Sequence, residues 1–282
     1  MLEKPLLLLA IEHSLTPQVA GEIEFYLLGA DEVGVESWQG EIEAACAAAG
    51  IGLHRVEKER GDEQYEISLL PTDAASAAAN IIAIRHIITQ AGRKCGLEAN
   101  FATRPKEGQP CSGLHLHIHL ADSSGKNVYF KRDEEISPLL NHSIGGLLAW
   151  LPASMPVFAP QAEDYVRFTK TGHTPTTISW GANNRTVAIR LPDKAADNKH
   201  IEHRVCASAA APEAAIALML AAIHDGLSNK IEPSSPQTYG DASLEMYHLA
   251  PLPASLPEAQ KAMEAFAPLS RYFSVSDLLK DY

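Results

Sequence analysis

The sequence predicts an α+β fold built on an extensive, mostly antiparallel sheet that carries polar groups on one face and helices on the other. Three observations lead there. Residues Leu114 to Leu120 alternate strictly between apolar side chains and histidine, the period of a strand with two unlike faces. Turn signals at Arg60–Glu63 and Asp122–Asn127 join neighbouring strand-like runs into hairpins. Long stretches with helical period and recognisable ends, Thr72–Lys94 and Pro212–Asp225, lie between the strands rather than in one block.

In order, Pro5–Ile11 reads as a short buried strand and Gly21–Leu28 as the next, with Glu22 and Glu24 side by side on one face. Ser37–Ala49 reads as a helix with Ser37 as N-cap and Gly50 as its left-handed stop. Leu53–Glu59 and Gln64–Leu70 form a hairpin with Glu59 at one shoulder and Glu66 on the returning arm. Thr72 caps the Ala-rich helix that Gly96 ends, and Ile81, Ile82, Ile84, Ile87 and Ile88 form its core stripe. The loop Ala102–Gln109 leads into the histidine strand. There Leu114, Leu116, Ile118 and Leu120 face the core, and His115, His117 and His119 face the other way. Helix returns at Ser137–Leu151. Strands follow at Ile178–Gly181, Thr186–Leu191 and His200–Arg204. The Pro212–Asp225 helix has Pro in its first turn and Gly226 as its stop, with Ile216, Met219, Leu220 and Ile223 buried. Pro251–Leu256 is a linker, and Pro257–Phe266 and Ser274–Tyr282 read as terminal helices.

Composition narrows the function. The chain has 282 residues, 46% hydrophobic and 21% charged, which is ordinary globular composition. A net charge of −12 without a basic block argues against a general nucleic-acid binder. Cys46, Cys95, Cys111 and Cys206 show no paired spacing, so neither a disulfide framework nor a cysteine zinc site is indicated. Pro5–Ile11 is too short to span a membrane and precedes Glu12 and His13 rather than a cleavage site. The expected location is cytoplasmic.

The polar-face residues Glu22, Glu24, Glu59, Glu66, His115 and Glu202 make an oxygen-rich set that suits Mg²⁺ or Mn²⁺ better than zinc. Arg167, Arg185, Arg190 and Arg204 supply cationic groups of the kind phosphoryl transfer uses to neutralise developing charge. The alternative at each position is a polar strand face in water, because spacing alone does not bring these strands together.

Five ordered stretches resemble the catalytic-domain motifs of glutamine synthetase: Gly21-Glu22-Ile23-Glu24-Phe25, Glu59 with Gln64-Tyr65-Glu66-Ile67, Ser112-Gly113-Leu114-His115-Leu116-His117, Asn184-Arg185-Thr186 with Ile189-Arg190, and Ile201-Glu202-His203-Arg204. The resemblance runs from about Gly21 to the C-terminus and implies one catalytic domain over residues 1–282, with a large curved, mostly antiparallel sheet and helices on its outer face. It implies that Glu24, Glu59 and Glu66 hold one divalent ion and that Glu22, His115 and Glu202 hold a second. It assigns His117 and Arg190 to ATP, Arg185 to the transferring phosphoryl group, and Arg167 and Arg204 to the substrate carboxylate. The implied chemistry is that of an ATP-dependent carboxylate–amine ligase of nitrogen metabolism working through an acyl phosphate, with a small-molecule acid and amine as substrates, no nucleic acid or membrane partner, and a homo-oligomeric assembly.

The sequence departs from the family in four places. Twenty residues precede Gly21, too few for the family's N-terminal β-grasp domain, which is therefore expected to be missing. Pro110-Cys111 replaces an Asn-Gly that grips glutamate, and His200 replaces an arginine. The flap glutamate aligns with His173, which is assigned the catalytic role of handling the amine proton. These departures point away from plain glutamate plus ammonium. They also keep two other readings open: a catalytically silent relative that binds nucleotide and metal in a regulatory or accessory role, and a kinase that stops after phosphorylating its acceptor.

Overall fold

The computed structural model describes residues 1–29, 32–130, 136–169, 174–192 and 198–280. Its centre is a nine-stranded sheet with the order β2-β3-β1-β6-β9-β8-β7. The strands are β1 (Thr16–Leu28), β2 (Leu53–Lys58), β3 (Gln64–Leu69), β4 (Thr72–Asp73), β5 (Glu98–Asn100), β6 (Leu114–Ala121), β7 (Trp180–Ala182), β8 (Ile189–Leu191) and β9 (Ile201–His203). β4 and β5 also pair with β1, and every pairing is antiparallel except β7 with β8. Among the described residues, seven α-helices accompany it: α1 (Glu3–His13), α2 (Glu32–Ala49), α3 (Ala74–Lys94), α4 (Pro138–Phe158), α5 (Pro212–Asn229), α6 (Leu256–Ala265) and α7 (Val275–Leu278). The expected α+β class and the mostly antiparallel sheet are therefore present.

The histidine strand organises the packing. Leu114, Leu116, Ile118 and Leu120 of β6 are buried against the helical layer together with Val19, Ile23 and Phe25 of β1. On α3, Ile81, Ile84 and Ile88 are fully buried, whereas Ile82, expected in the same stripe, is 56% exposed. The helix starts one residue later than Thr72 suggests. Asp73 is the cap, and its Oδ1 accepts from the backbone N–H groups of Ala75 and Ser76, while Thr72 pairs with Val19 in β4. All four cysteines are free. Among the described residues no helix is long and apolar enough to cross a membrane.

Three further expectations are corrected. Ser37 does not cap its helix, because α2 begins at Glu32 and Ser37 lies within it. Pro5–Ile11 is not a strand but lies within helix α1, where Pro5 and Leu9 are buried and Leu7 and Ile11 are exposed. A seven-residue apolar run carries no period that separates strand from helix. Glu3 and Pro5 in the first turn suit the helical choice. Gly226 does not end α5, which runs on to Asn229 and stops at Lys230 in the left-handed conformation. Gly226 instead meets Gly146 where α4 and α5 cross. A Cβ on Gly226 would lie 2.2 Å from the His142 carbonyl oxygen, and one on Gly146 would lie 2.0 Å from that of Ala222. The glycine is a packing contact between two backbones.

Gly226→Ala should therefore destabilise the fold although alanine favours helix. Overpacking of this kind costs about 1–3 kcal/mol, which lowers the thermal midpoint by roughly 3–10 °C for a chain of this size. A midpoint unchanged in differential scanning calorimetry would mean that α4 and α5 can separate freely.

Candidate active site

Strand register assembles the site. β1 lies between β3 and β6, with Glu24 opposite Glu66 and Glu22 opposite His115. On the other side of β6, His117 stands opposite Glu202, and Glu202 stands opposite Arg190 on β8. Directly opposed residues share a face and lie about 4.5–5.5 Å apart at Cβ. Seven of the residues assigned to divalent ions or ATP thus converge from five strands through pairing alone. Glu59 joins from the hairpin shoulder beyond β2, where its N–H donates to the Gln64 carbonyl (2.8 Å).

Ligand atoms of Glu24, Glu59 and Glu66 lie within 4.8 Å of one another, as do those of Glu22, Glu66 and His115 and those of Glu22, His117 and Glu202. The first group is the set expected for one ion. The second expected set, Glu22, His115 and Glu202, is also close: His115 Nδ1 is 2.7 Å from Glu22 and 3.8 Å from Glu202. His117 reaches this set too, with Nε2 3.3 Å from Glu22 and Nδ1 3.1 Å from His200 Nε2. The imidazole assigned to ATP therefore adjoins the carboxylates as closely as some of the assigned ligands.

The electrostatics divide the site. Burial and the neighbouring Glu22 and Glu24 carboxylates push Glu66 up to about 10. Burial, with Glu24 beside it, also raises Glu59. Glu22 moves the opposite way: burial opposes its charge, but hydrogen bonds from His115 and His117 hold it well below the usual carboxylate range. Glu202 is buried as well, yet Arg204, aided by His117 and His115, brings it down to about 2. Arg190 Nη1 donates to Glu202 Oε2 at 2.6 Å, and Arg204 Nη1 donates to its Oε1. The Glu24–Glu59–Glu66 side is a crowd of oxygen donors that cannot all ionise together without a cation, and its donor chemistry fits Mg²⁺ or Mn²⁺.

The arginines have distinct surroundings. Arg185 is exposed on the wall of the cleft and makes no hydrogen bond or ion pair with any described residue. Its loop is pinned by Asn184, whose Nδ2 donates to Thr238 O (3.0 Å) and Gly240 O (2.8 Å) and whose Oδ1 accepts from Thr186. Arg167, assigned to the substrate carboxylate, is fully buried, and its terminal nitrogens donate to the backbone carbonyls of Ser112 and Arg204. It lies against Gly113, where a Cβ would come within 2.6 Å of Nη2. Glycine there leaves the backbone free to meet the guanidinium, while the Gly113 N–H donates to Glu24 (2.7 Å). His173 lies outside the described residues, although Thr174 and Pro175 border the cleft.

The cleft encloses about 690 Å³. Arg55, Arg60 and Arg104 also line it, and sequence reasoning missed all three. Arg55 Nη2 is 3.6 Å from Glu66. Its place on β2, opposite Ser68 on the polar face of β3, was the available signal. Nε atoms of Arg190 and Arg204 are buried without a partner. Together these groups form an acidic floor under arginine-bearing walls, a cleft able to bind divalent cations and a phosphorylated ligand.

The chain is similar to several known proteins. The profile of the glutamine synthetase catalytic domain matches residues 34–282. Gamma-glutamylputrescine synthetase PuuA of Escherichia coli (strain K12) is 30% identical over 251 residues, covering 78% of this chain and 53% of that protein. The glutamine synthetase of Pyrococcus abyssi (strain GE5 / Orsay) is 35% identical over 193 residues, covering 68% of this chain and 44% of that protein. The chain spans about half the length of these curated relatives. A solved structure described as a GmaS/ADP complex superposes with a TM-score of 0.87 at 23% identity, covering 99% of this chain and 71% of that one, and so shares the fold. With a profile match across most of its length and the site residues converging in one cleft, the chain belongs to the glutamine synthetase family.

Proposed function

We propose that the chain is an ATP-dependent carboxylate–amine ligase, with residues 1–282 as one catalytic unit, that activates its acid as an acyl phosphate. The observation that carries this reading is the juxtaposition of the crowded Glu24–Glu59–Glu66 cluster with arginine-bearing walls in one cleft. Two divalent ions, Mg²⁺ or Mn²⁺, would be held by Glu24, Glu59 and Glu66 and by Glu22, His115 and Glu202, and would neutralise charge on the phosphates of ATP. Arg185 is free to follow a phosphoryl group in transfer. Arg190 and His117 border the second carboxylate set, where nucleotide phosphates would lie. Arg204 fixes Glu202 and presents its remaining donors to the substrate acid. Arg167, which lines the cleft and is held by the carbonyls of Ser112 and Arg204, would bind the substrate carboxylate beside Arg204.

The acid and amine are not plain glutamate and ammonium. Pro110 lines the cleft without a side-chain amide, and its carbonyl accepts from Tyr26 Oη at 2.8 Å. A site lacking a specific polar contact discriminates poorly for the group that contact would hold. A relative named for joining a γ-glutamyl group to putrescine supports an amine larger than ammonium. At position 173 a neutral imidazole can take a proton from the amine but, unlike a carboxylate, does not attract a cation.

Three measurements test this reading. First, Glu66→Gln removes one member of the crowded cluster. A carboxyl raised to about 10 is protonated in the folded state over the window from the ordinary carboxylate value to about 10, so stability falls as pH rises through that window. The chelator-stripped variant should match or exceed the wild type in thermal midpoint at pH 8. It should lose the Mn²⁺-induced rise that native-state binding gives the wild type. An undiminished rise would remove Glu66 from the metal site. Second, phosphate release from Mg²⁺-ATP should respond to a specific carboxylate in a panel of acids, and amide should form with a primary amine in preference to ammonium. Efficient glutamine formation would refute the substrate argument, and acid-independent release would favour the regulatory reading. Third, His173→Glu should raise the ratio of amide to phosphate with ammonium as acceptor, whereas an unchanged ratio would detach position 173 from amine handling.

A further inference from the structure

A second cluster lies outside the cleft, where the first helix meets α5. Glu12 and His13 end α1, His224 and Ser228 lie one turn apart on α5, and Tyr272 follows the short 3-10 helix Ala267–Arg271. Glu12 Oε2 is 3.0 Å from His224 Nε2, and His13 Nε2 is 3.0 Å from Ser228 Oγ. Ser228 Oγ is 3.3 Å from both His224 Nε2 and Glu12 Oε2. One ligand atom from each of Glu12, His13 and His224 falls within 4.8 Å of the others. A tetrahedral set with metal–ligand bonds of about 2.0–2.1 Å has edges of about 3.3 Å, and these contacts already lie near that spacing.

Two features go beyond a chance meeting of polar side chains. His224 is fully buried, and the Tyr272 hydroxyl lies 2.6 Å from its Nδ1, so the ring is oriented with Nε2 toward Glu12 and Ser228. A hydrogen bond at the far ring nitrogen is the usual way a metal-ligating histidine is held. Arg271 Nη2 lies 3.1 Å from Glu12 Oε1, which fixes that carboxylate with its other oxygen turned to the histidines.

We infer that Glu12, His13 and His224 form a zinc-class metal site that ties α1 to α5 at the base of the C-terminal segment, with Ser228 Oγ or a water in the fourth position. Two imidazoles and one carboxylate suit Zn²⁺ and similar borderline metals, and they discriminate against Mg²⁺. The cleft, with its carboxylate majority, has the opposite preference. The site is structural: no cleft residue contributes to it, and the inference does not depend on the ligase reading.

Co²⁺ tests it, because four-coordinate Co²⁺ with nitrogen ligands absorbs strongly in the visible, whereas six-coordinate oxygen sites absorb weakly. The chelator-stripped full chain is titrated with Co²⁺ in excess Mg²⁺, which occupies hard-oxygen ligands. One equivalent of an intense visible band is expected, lost on adding Zn²⁺. His13→Ala and Glu12→Gln should each abolish it, with far-ultraviolet circular dichroism confirming that both variants are folded. Glu12 is 37% exposed, so its variant leaves the core untouched. Zn²⁺ should also raise the thermal midpoint of the wild type but not of His13→Ala. No band in the wild type would show the cluster to be a hydrogen-bond network only. A band that persists in both variants, or that disappears in Glu66→Gln, would assign the metal elsewhere. Either result overturns the inference.

Discussion

The structure depends most on the register of β1 between β3 and β6. Glu24 faces Glu66 and Glu22 faces His115 because the three strands pair in one alignment. Side-chain direction reverses with every residue, so a slip of one position would turn Glu22 and Glu24 into the helical layer and Ile23 and Phe25 into the cleft. Burial prevents it. Ile23 and Phe25 are wholly inaccessible, as are Leu114, Leu116 and Leu120 opposite. The apolar face thereby determines where the carboxylates point.

The acidic floor has two halves with different charge balance. Arg190 and Arg204 already accompany Glu202, and His115 and His117 accompany Glu22, so both carboxylates are held toward the ionised form. Around Glu24, Glu59 and Glu66, the nearest cation among the described residues is Arg55 at 3.6 Å, and Glu66 is driven toward its neutral form. A cation entering this second half relieves repulsion. One approaching Glu202 competes with two guanidiniums. Neighbouring positions of one sheet therefore present unequal environments to the same kind of ion.

What was legible in the sequence follows from the range over which each signal acts. The histidine strand and the Glu22–Glu24 pair could be read because alternation is a local property that fixes a face. The α1 helix could not, since Pro5–Ile11 is a short apolar run without a period. Gly226 looked like a helix stop because a glycine's sequence context does not distinguish a left-handed cap from close approach to another backbone, here that of Gly146. The surroundings of Arg167 were also hidden. Its partners are the carbonyls of Ser112 and Arg204, and nothing in the sequence announces which carbonyl lacks a donor. The Glu12–His224 contact spans 212 positions and arises only when α1 docks on α5.

A site of this kind works against the fold that carries it. Four carboxylates around β1 and β3 repel one another, and buried charge without a partner is among the costlier things a protein can hold. The offset lies on the other face of the same strands. Each leucine or isoleucine fully buried along β6 contributes about 1.5–3 kcal/mol relative to exposure, and four of them stand behind His115, His117 and His119. The α3 stripe of Ile81, Ile84 and Ile88 is buried beside it, packed on β1 of the same sheet. Strict alternation in Leu114–Leu120 therefore serves two ends. It presents imidazoles to the cleft, and it sets beneath them the apolar contacts that keep a crowded acidic surface folded.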